Sequence, residues 1–76
     1  MAKIDKDTLN SSIEYCIREY VRLYRDRDIL TDKWFNGLTL EQIAEKYNLS
    51  LTYIKDIVYG IGDDILLRAY NMSKTK

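Results

Sequence analysis

Two helix-start signals close together in the middle of the chain constrain its fold more than any other feature. Thr39 followed three residues later by Gln42 is the pattern of a capping box, in which each side chain satisfies a backbone N–H of the other residue. Ser50 is a second N-cap residue. Between them, Asn48 is one of the few residues other than Gly that adopts a positive φ at low cost. The sequence therefore predicts a helix over 40–47, a tight turn, and a second helix that begins after Ser50.

Apolar residues before this pair predict two more helices. From Leu9 to Tyr24 they recur at helical spacing and predict an N-terminal helix over about residues 8–25. A second apolar group over 29–35 predicts two helical turns that end at Gly37, a residue suited to a helix C-terminus.

The composition and the remaining pattern predict an all-α fold. The chain has 76 residues, 46% of them hydrophobic and 32% charged, with no Pro and 3 Gly. Gly60 and Gly62 are expected to interrupt the helix that follows Ser50, and a C-terminal helix is predicted over about 63–72. We therefore expect one small helical domain, 1–76, of four or five helices around a core at about 38–60.

The inventory of side chains argues against several classes of function. There is no His and one Cys, so the residues used in most zinc sites, disulfides and imidazole chemistry are missing. We expect neither an enzyme nor a metal or cofactor site. The polar N-terminus is unlike a secretory signal and no apolar stretch is long enough to span a membrane, which indicates a cytoplasmic protein.

The segment LEQIAEKYNLSLTYIKDIVY, residues 40–59, resembles the helix-turn-helix family of DNA-binding proteins. Ala44 is the small residue that lets two helices cross closely, Asn48 stands where the family usually has Gly, and Leu49 fills the corner. With the residues before it, about 29–59 is similar to the promoter-reading C-terminal domain of bacterial sigma factors and related phage regulators.

The resemblance implies that the helix from Ser50 to Tyr59 is a recognition helix that enters the major groove of double-stranded DNA. On it, Lys55 would donate to guanine or phosphate, Thr52 would meet a thymine methyl or a phosphate, and Asp56 would accept from cytosine. The backbone at the start of the preceding helix would contact phosphate. The full set of residues placed toward DNA is Thr39, Gln42, Ser50, Thr52, Tyr53, Lys55, Asp56 and Tyr59.

The distribution of charge leaves a second function open. The chain is net neutral, and 34–67 carries two lysines against five carboxylates, a net charge of −3. Weak phosphate attraction follows, so further phosphate contacts are expected from a face formed by Arg18, Arg22 and Arg25. The alternative is a protein-binding helical module that docks on RNA polymerase, a sigma factor or another regulator without reading DNA.

The seven tyrosines bear on both functions. By helical phasing, one group is predicted to lie in the core, namely Tyr20, Tyr24 and Tyr47. A second group is predicted to face outward, namely Tyr15, Tyr53 and Tyr59. In so short a chain, outward aromatic residues also predict a homodimer that forms through the first or the last helix.

Overall fold

The fold is all-α, as the sequence predicts. The computed structural model describes residues 6–74, and every regular element within them is helical. The five α-helices are α1 Lys6–Tyr20, α2 Tyr24–Trp34, α3 Leu40–Tyr47, α4 Leu51–Asp56 and α5 Gly62–Lys74. A π-helical segment, Ile57–Ile61, joins α4 to α5 without a break. From residue 51 to residue 74 the backbone is therefore one continuous helix.

One apolar core connects all five helices. Ile43 of α3 and Ile54 of α4 are completely buried, and Ile29, Leu30 and Ile65 join them. Four half-buried residues also pack against it, namely Trp34, Ala44, Tyr47 and Leu49. Because each helix presents an apolar face to the same cluster, burial of these side chains is the main force that fixes their relative positions.

The N-terminal helix is shorter than predicted. It ends at Tyr20 rather than near residue 25, and the chain continues through an extended Leu23 into α2. The guanidinium of Arg27 donates hydrogen bonds to the carbonyl oxygens of Val21 (2.6 Å) and Arg18 (2.9 Å) at the end of α1. A long side chain on the next helix therefore satisfies carbonyl groups that a longer α1 would have paired internally.

This early end changes the environment of two tyrosines. Tyr20 and Tyr24 were expected in the core, but they are 52% and 77% exposed. Each ring lies beneath an arginine, with Arg68 4.5 Å from the centre of Tyr20 and Arg27 5.0 Å from that of Tyr24. The placement of Tyr24 in the core was wrong because it assumed that α1 keeps its phase beyond residue 20. Tyr20 is the last residue of α1, and its ring lies at the surface under Arg68 of α5 instead of in the core.

The second helix begins earlier than predicted and ends close to the expected point. It covers 24–34 rather than 29–35, and Phe35 is its C-cap residue. Gly37 follows with φ of 71°, so this residue makes the left-handed turn that leads to α3.

The expected interruption at the two glycines was wrong. Gly62 has helical dihedral angles, φ −60° and ψ −44°, and is buried. The helix continues into α5, which packs lengthwise against α1. There, Ser73 donates a buried hydrogen bond to Ser12 (2.8 Å), and Cys16 of α1 and Ala69 of α5 are completely buried. Burial raises the pKa of the Cys16 thiol.

Candidate nucleic-acid interface

The turn between α3 and α4 has the geometry that the sequence predicts. Thr39 accepts a hydrogen bond from the backbone N–H of Gln42 (3.1 Å), while the backbone N–H of Thr39 donates to the side-chain oxygen of Gln42 (2.8 Å). Asn48 adopts φ 55° and ψ 48°, and the backbone N–H of Tyr53 donates to the Ser50 hydroxyl (3.1 Å). The two helices therefore form a helix-turn-helix with α4 in second place.

Most of the residues predicted to read DNA lie on one exposed stretch of the second helix. The exposed side chains are those of Ser50, Thr52, Lys55, Asp56 and Tyr59. The last of these lies in the π segment, 58% exposed. Hydroxyl, ammonium, carboxylate and phenol groups are thus brought together on a helical surface that no other described element covers.

Tyr53 differs from this group because it is half-buried rather than outward. Its hydroxyl accepts a hydrogen bond from Arg25 of α2 (2.8 Å) and donates to the buried Asp26 (3.4 Å). The Arg25 guanidinium also lies 5.2 Å from the centre of the Tyr53 ring. The expected outward orientation of Tyr53 was therefore wrong, and its side chain instead holds Arg25 beside α4.

The three arginines predicted to form one face lie in three places. Arg25 is beside α4, whereas Arg18 lines a groove between α1 and α2 together with Phe35. Arg22 lines a different groove, with Ile61. The single face was wrong because α1 ends before Arg22, and only Arg25 lies next to the helix-turn-helix.

At the start of each helix, a side chain predicted to contact DNA has a structural role. Thr39 caps α3 and Ser50 caps α4.

We expect Thr39→Ala and Ser50→Ala each to lower the free energy of unfolding by about 1 kcal/mol, because each leaves a backbone N–H without its partner. Urea denaturation measures this, and Thr39→Ser, which keeps the cap, should leave stability nearly unchanged. A Thr39→Ala variant as stable as the parent would show that the cap contributes nothing.

A buried carboxylate that the sequence analysis missed fixes α3 against α2. Asp32 is 4% exposed and accepts hydrogen bonds from three side chains: Asn36 (2.7 Å), Lys46 (2.9 Å) and Tyr47 (2.6 Å). Burial alone would raise the pKa of Asp32, but the three donors outweigh it and hold the pKa below its usual range. The only sequence signal was the helical spacing of Asp32 and Asn36, which does not predict partners on another helix.

This cluster also affects the charge near the candidate interface. Lys46 is the basic residue of the last turn of α3, and its ammonium forms an ion pair with Asp32. The hydrogen bond to Asp32 raises the pKa of Lys46 above its usual value. Glu41 and Glu45 on the same helix are exposed. Because Lys46 is paired with Asp32, the outer surface of α3 is acidic. Lys55 is the one basic residue of the neighbouring helix α4.

The described residues form neither a metal site nor a membrane-spanning helix. Over positions 6–74, no group of three or more His, Cys, Asp or Glu side chains is arranged to hold a metal ion. None of the helices in that range is both long and apolar enough to cross a membrane.

Comparison with known proteins supports the interpretation of the helix-turn-helix. The family model for Sigma-70, region 4 matches residues 24–58, which cover α2, α3, α4 and the start of the π segment. Neither the curated proteins nor the solved structures contain a significant match to the chain. The matched family is a DNA-binding regulatory domain. The matched span contains the resemblance at about 29–59 except for residue 59. Over residues 24–58 the chain is thus a helix-turn-helix similar to region 4 of the sigma-70 factors.

Proposed function

We propose that the chain is a small DNA-binding transcription regulator in which α4, continued by the π segment to Tyr59, is the recognition helix. The observation that carries this proposal is the coincidence of the family match at 24–58 with the exposed polar surface of α4. In a helix-turn-helix, the second helix lies in the major groove and the first crosses the backbone. Such a role implies a cytoplasmic protein.

Three side chains on α4 have chemistry that suits base edges and phosphates. Lys55 donates to guanine oxygen and nitrogen or to phosphate, and Thr52 offers both a hydroxyl and a methyl group. The Asp56 carboxylate can accept a hydrogen bond from the amino group of cytosine, but it repels phosphate. Asp56 therefore favours binding only at sites where a cytosine donates to it. Together they form a specificity surface with little general attraction for DNA.

Phosphate contacts have a second source beside the recognition helix. Arg25 is held next to α4 by its hydrogen bond to the Tyr53 hydroxyl and is itself exposed. A guanidinium fixed in place loses less conformational freedom when it binds phosphate than one that is free to rotate. The first turn of α3 supplies further contacts through the backbone N–H groups between Thr39 and Gln42, because the capping box uses the N–H groups of those two residues themselves.

The acidic surroundings predict modest affinity for DNA, which falls as the salt concentration rises. Each phosphate that a protein neutralises releases counterions, and the logarithm of the binding constant falls by about 0.9 per contact for each tenfold rise in salt. With Lys55 and Arg25 as the main cations, the slope should be shallow compared with that of strongly basic regulators. Binding to random-sequence DNA is therefore best sought at about 50 mM salt.

We expect Lys55→Ala to reduce the magnitude of the salt slope by about one unit if Lys55 contacts phosphate, or to cost about 1–3 kcal/mol at a specific site if it contacts a base. Fluorescence anisotropy of a labelled duplex, titrated at several salt concentrations, measures both effects. A matched control is Arg68→Ala, which removes one positive charge from α5, about 20 Å along the helix from Lys55.

The control should bind as the parent does. Equal effects of the two variants would indicate that Lys55 acts only through net charge. If the parent chain binds no duplex at about 50 mM salt, the DNA-binding proposal is wrong.

A second candidate function is docking on a protein of the transcription machinery. The acidic outer surface of α3, with exposed Glu41 and Glu45, favours it because this surface repels phosphate and suits a basic partner. Here, Tyr59 would anchor the partner, since large exposed aromatic rings often do so. Absence of DNA binding, with binding to purified RNA polymerase or a sigma factor that Tyr59→Ala abolishes, would establish this function instead.

A further inference from the structure

The outer side of α5 carries an exposed stripe with a defined order of residues. Asp63, Leu67, Tyr70 and Lys74 are all exposed, with Leu67 at 60% and Tyr70 at 48%. We call these four residues the α5 seam. The apolar pair is flanked at one end by an acid and at the other by a base.

The spacing of the seam is that of a helix-pairing surface. Its members are separated by four, three and four positions, which is the apolar repeat of paired helices. The residues that bind α5 to the rest of the molecule, Ile65, Ala69 and Ser73, are buried on another side of the helix. The Lys74 ammonium lies 5.8 Å from the centre of the Tyr70 ring, so these two side chains do share one surface.

We propose that two copies of this chain associate through antiparallel α5 seams. When two identical helices pair in opposite directions about a point between residues 68 and 69, Asp63 of each copy lies opposite Lys74 of the other. The same register places Leu67 opposite Tyr70 of the second copy, twice. Acid therefore meets base at both ends, and the apolar residues meet in the middle.

The charge order selects a second copy rather than an unrelated partner. A parallel pair of α5 helices would place Asp63 against Asp63 and Lys74 against Lys74, which repel one another. The order acid, apolar, apolar, base is complementary to its own reversal, as a two-fold interface requires. Because the seam is only about 17 Å long, the buried area is small and the dimer is weak.

Sedimentation equilibrium of the full chain, from about 1 μM to about 1 mM, tests the proposal. The mean mass of the parent chain should rise with concentration toward twice the 9.0 kDa of the monomer. Asp63→Lys and Lys74→Asp each create like charges at both ends of the pair. Each should therefore raise the dissociation constant about tenfold.

A mixture of the two variants provides the decisive measurement. One variant carries two lysines at the seam ends and the other carries two aspartates, so an equimolar mixture should form a heterodimer with the affinity of the parent. Circular dichroism checks that both variants are folded, and Leu67→Gln, an exposed change that leaves the charges intact, should also weaken association about tenfold.

A parent chain that stays monomeric throughout the range would overturn the proposal. So would single variants that associate as the parent does, or a mixture that gains no affinity. Binding of another protein to the seam without self-association would likewise reject it. The measurement contains no DNA, so its outcome is independent of whether α4 binds DNA.

Discussion

Replacing Asp32 with Ala should lower the free energy of unfolding by about 3 kcal/mol. The change leaves three donors, on Asn36, Lys46 and Tyr47, without the acceptor they share between α2 and α3. For a chain of this size, the loss corresponds to a fall in the thermal midpoint of about 10–20 °C. Urea denaturation and a thermal melt at neutral pH measure it.

The matched control is Asp28→Ala on the same helix. Asp28 is exposed, and its removal should change stability by no more than about 0.5 kcal/mol. If the two variants lose equal stability, the effect comes from the charge or helix propensity of α2. The shared hydrogen bonds would then contribute little.

The contribution of Asp32 should also depend on pH in a defined direction. Its pKa is lower in the folded chain than the value near 4 of an unfolded chain, so its stabilising effect is complete above about pH 4. That effect is lost as the pH falls through the lower, folded-state pKa. The difference in stability between the parent and Asp32→Ala should therefore be constant near neutral pH and shrink in acid. A difference that stays constant down to the lowest pH at which the chain is folded would show that the Asp32 carboxylate is not the source of the stabilisation.

The two glycines of the long helix should respond in opposite directions to Ala. A Cβ at Gly62 would lie 3.1 Å from the Trp34 ring and 3.2 Å from the Leu30 side chain, whereas a Cβ at Gly60 would meet nothing within 4 Å. Gly60→Ala should gain about 0.5–1 kcal/mol because Ala loses less backbone entropy in a helix. Gly62→Ala should lose about 1–2 kcal/mol, because the completely buried Leu30 has little room to move.

Denaturant unfolding of both variants against the parent chain measures this difference, which is about 1.5–3 kcal/mol in total. Each variant serves as the other's control, since the substitution is the same and the sites lie two residues apart. Gly62→Ala as stable as Gly60→Ala would mean that the contact between α5 and α2 is loose.

The sequence predicted the middle of the fold best, because the signals there are local. The capping box, the left-handed Asn48 and the Ser50 cap each depend on residues no more than three positions apart, and all were confirmed. The end of α1 depends instead on Arg27, which reaches back from the next helix to the carbonyl of Val21. The spacing of apolar residues continues through residues 21–24, so it cannot show that this contact ends the helix.

The candidate site was predicted in composition but not in detail. The exposed residues of α4 followed from helical phase together with the helix-turn-helix resemblance. The same phase placed Tyr53 outward because its partners were unknown. Those partners, Arg25 and Asp26, lie more than twenty residues earlier in the chain. The Asp32 cluster was missed for the same reason, since its ammonium and phenol come from α3.

The π segment has a consequence for how the chain tolerates changes in length. Five turns of a regular α-helix span about 18 residues, but Ile54 and Ser73, which are both buried, lie 19 positions apart. The π segment accommodates this extra residue, because a π turn holds one residue more than a turn of α-helix. Deleting Gly60 should therefore give an uninterrupted α-helix that keeps Ile54 and Ser73 on one side, whereas deleting one residue within α5 would rotate the rest of that helix by about 100° away from α1.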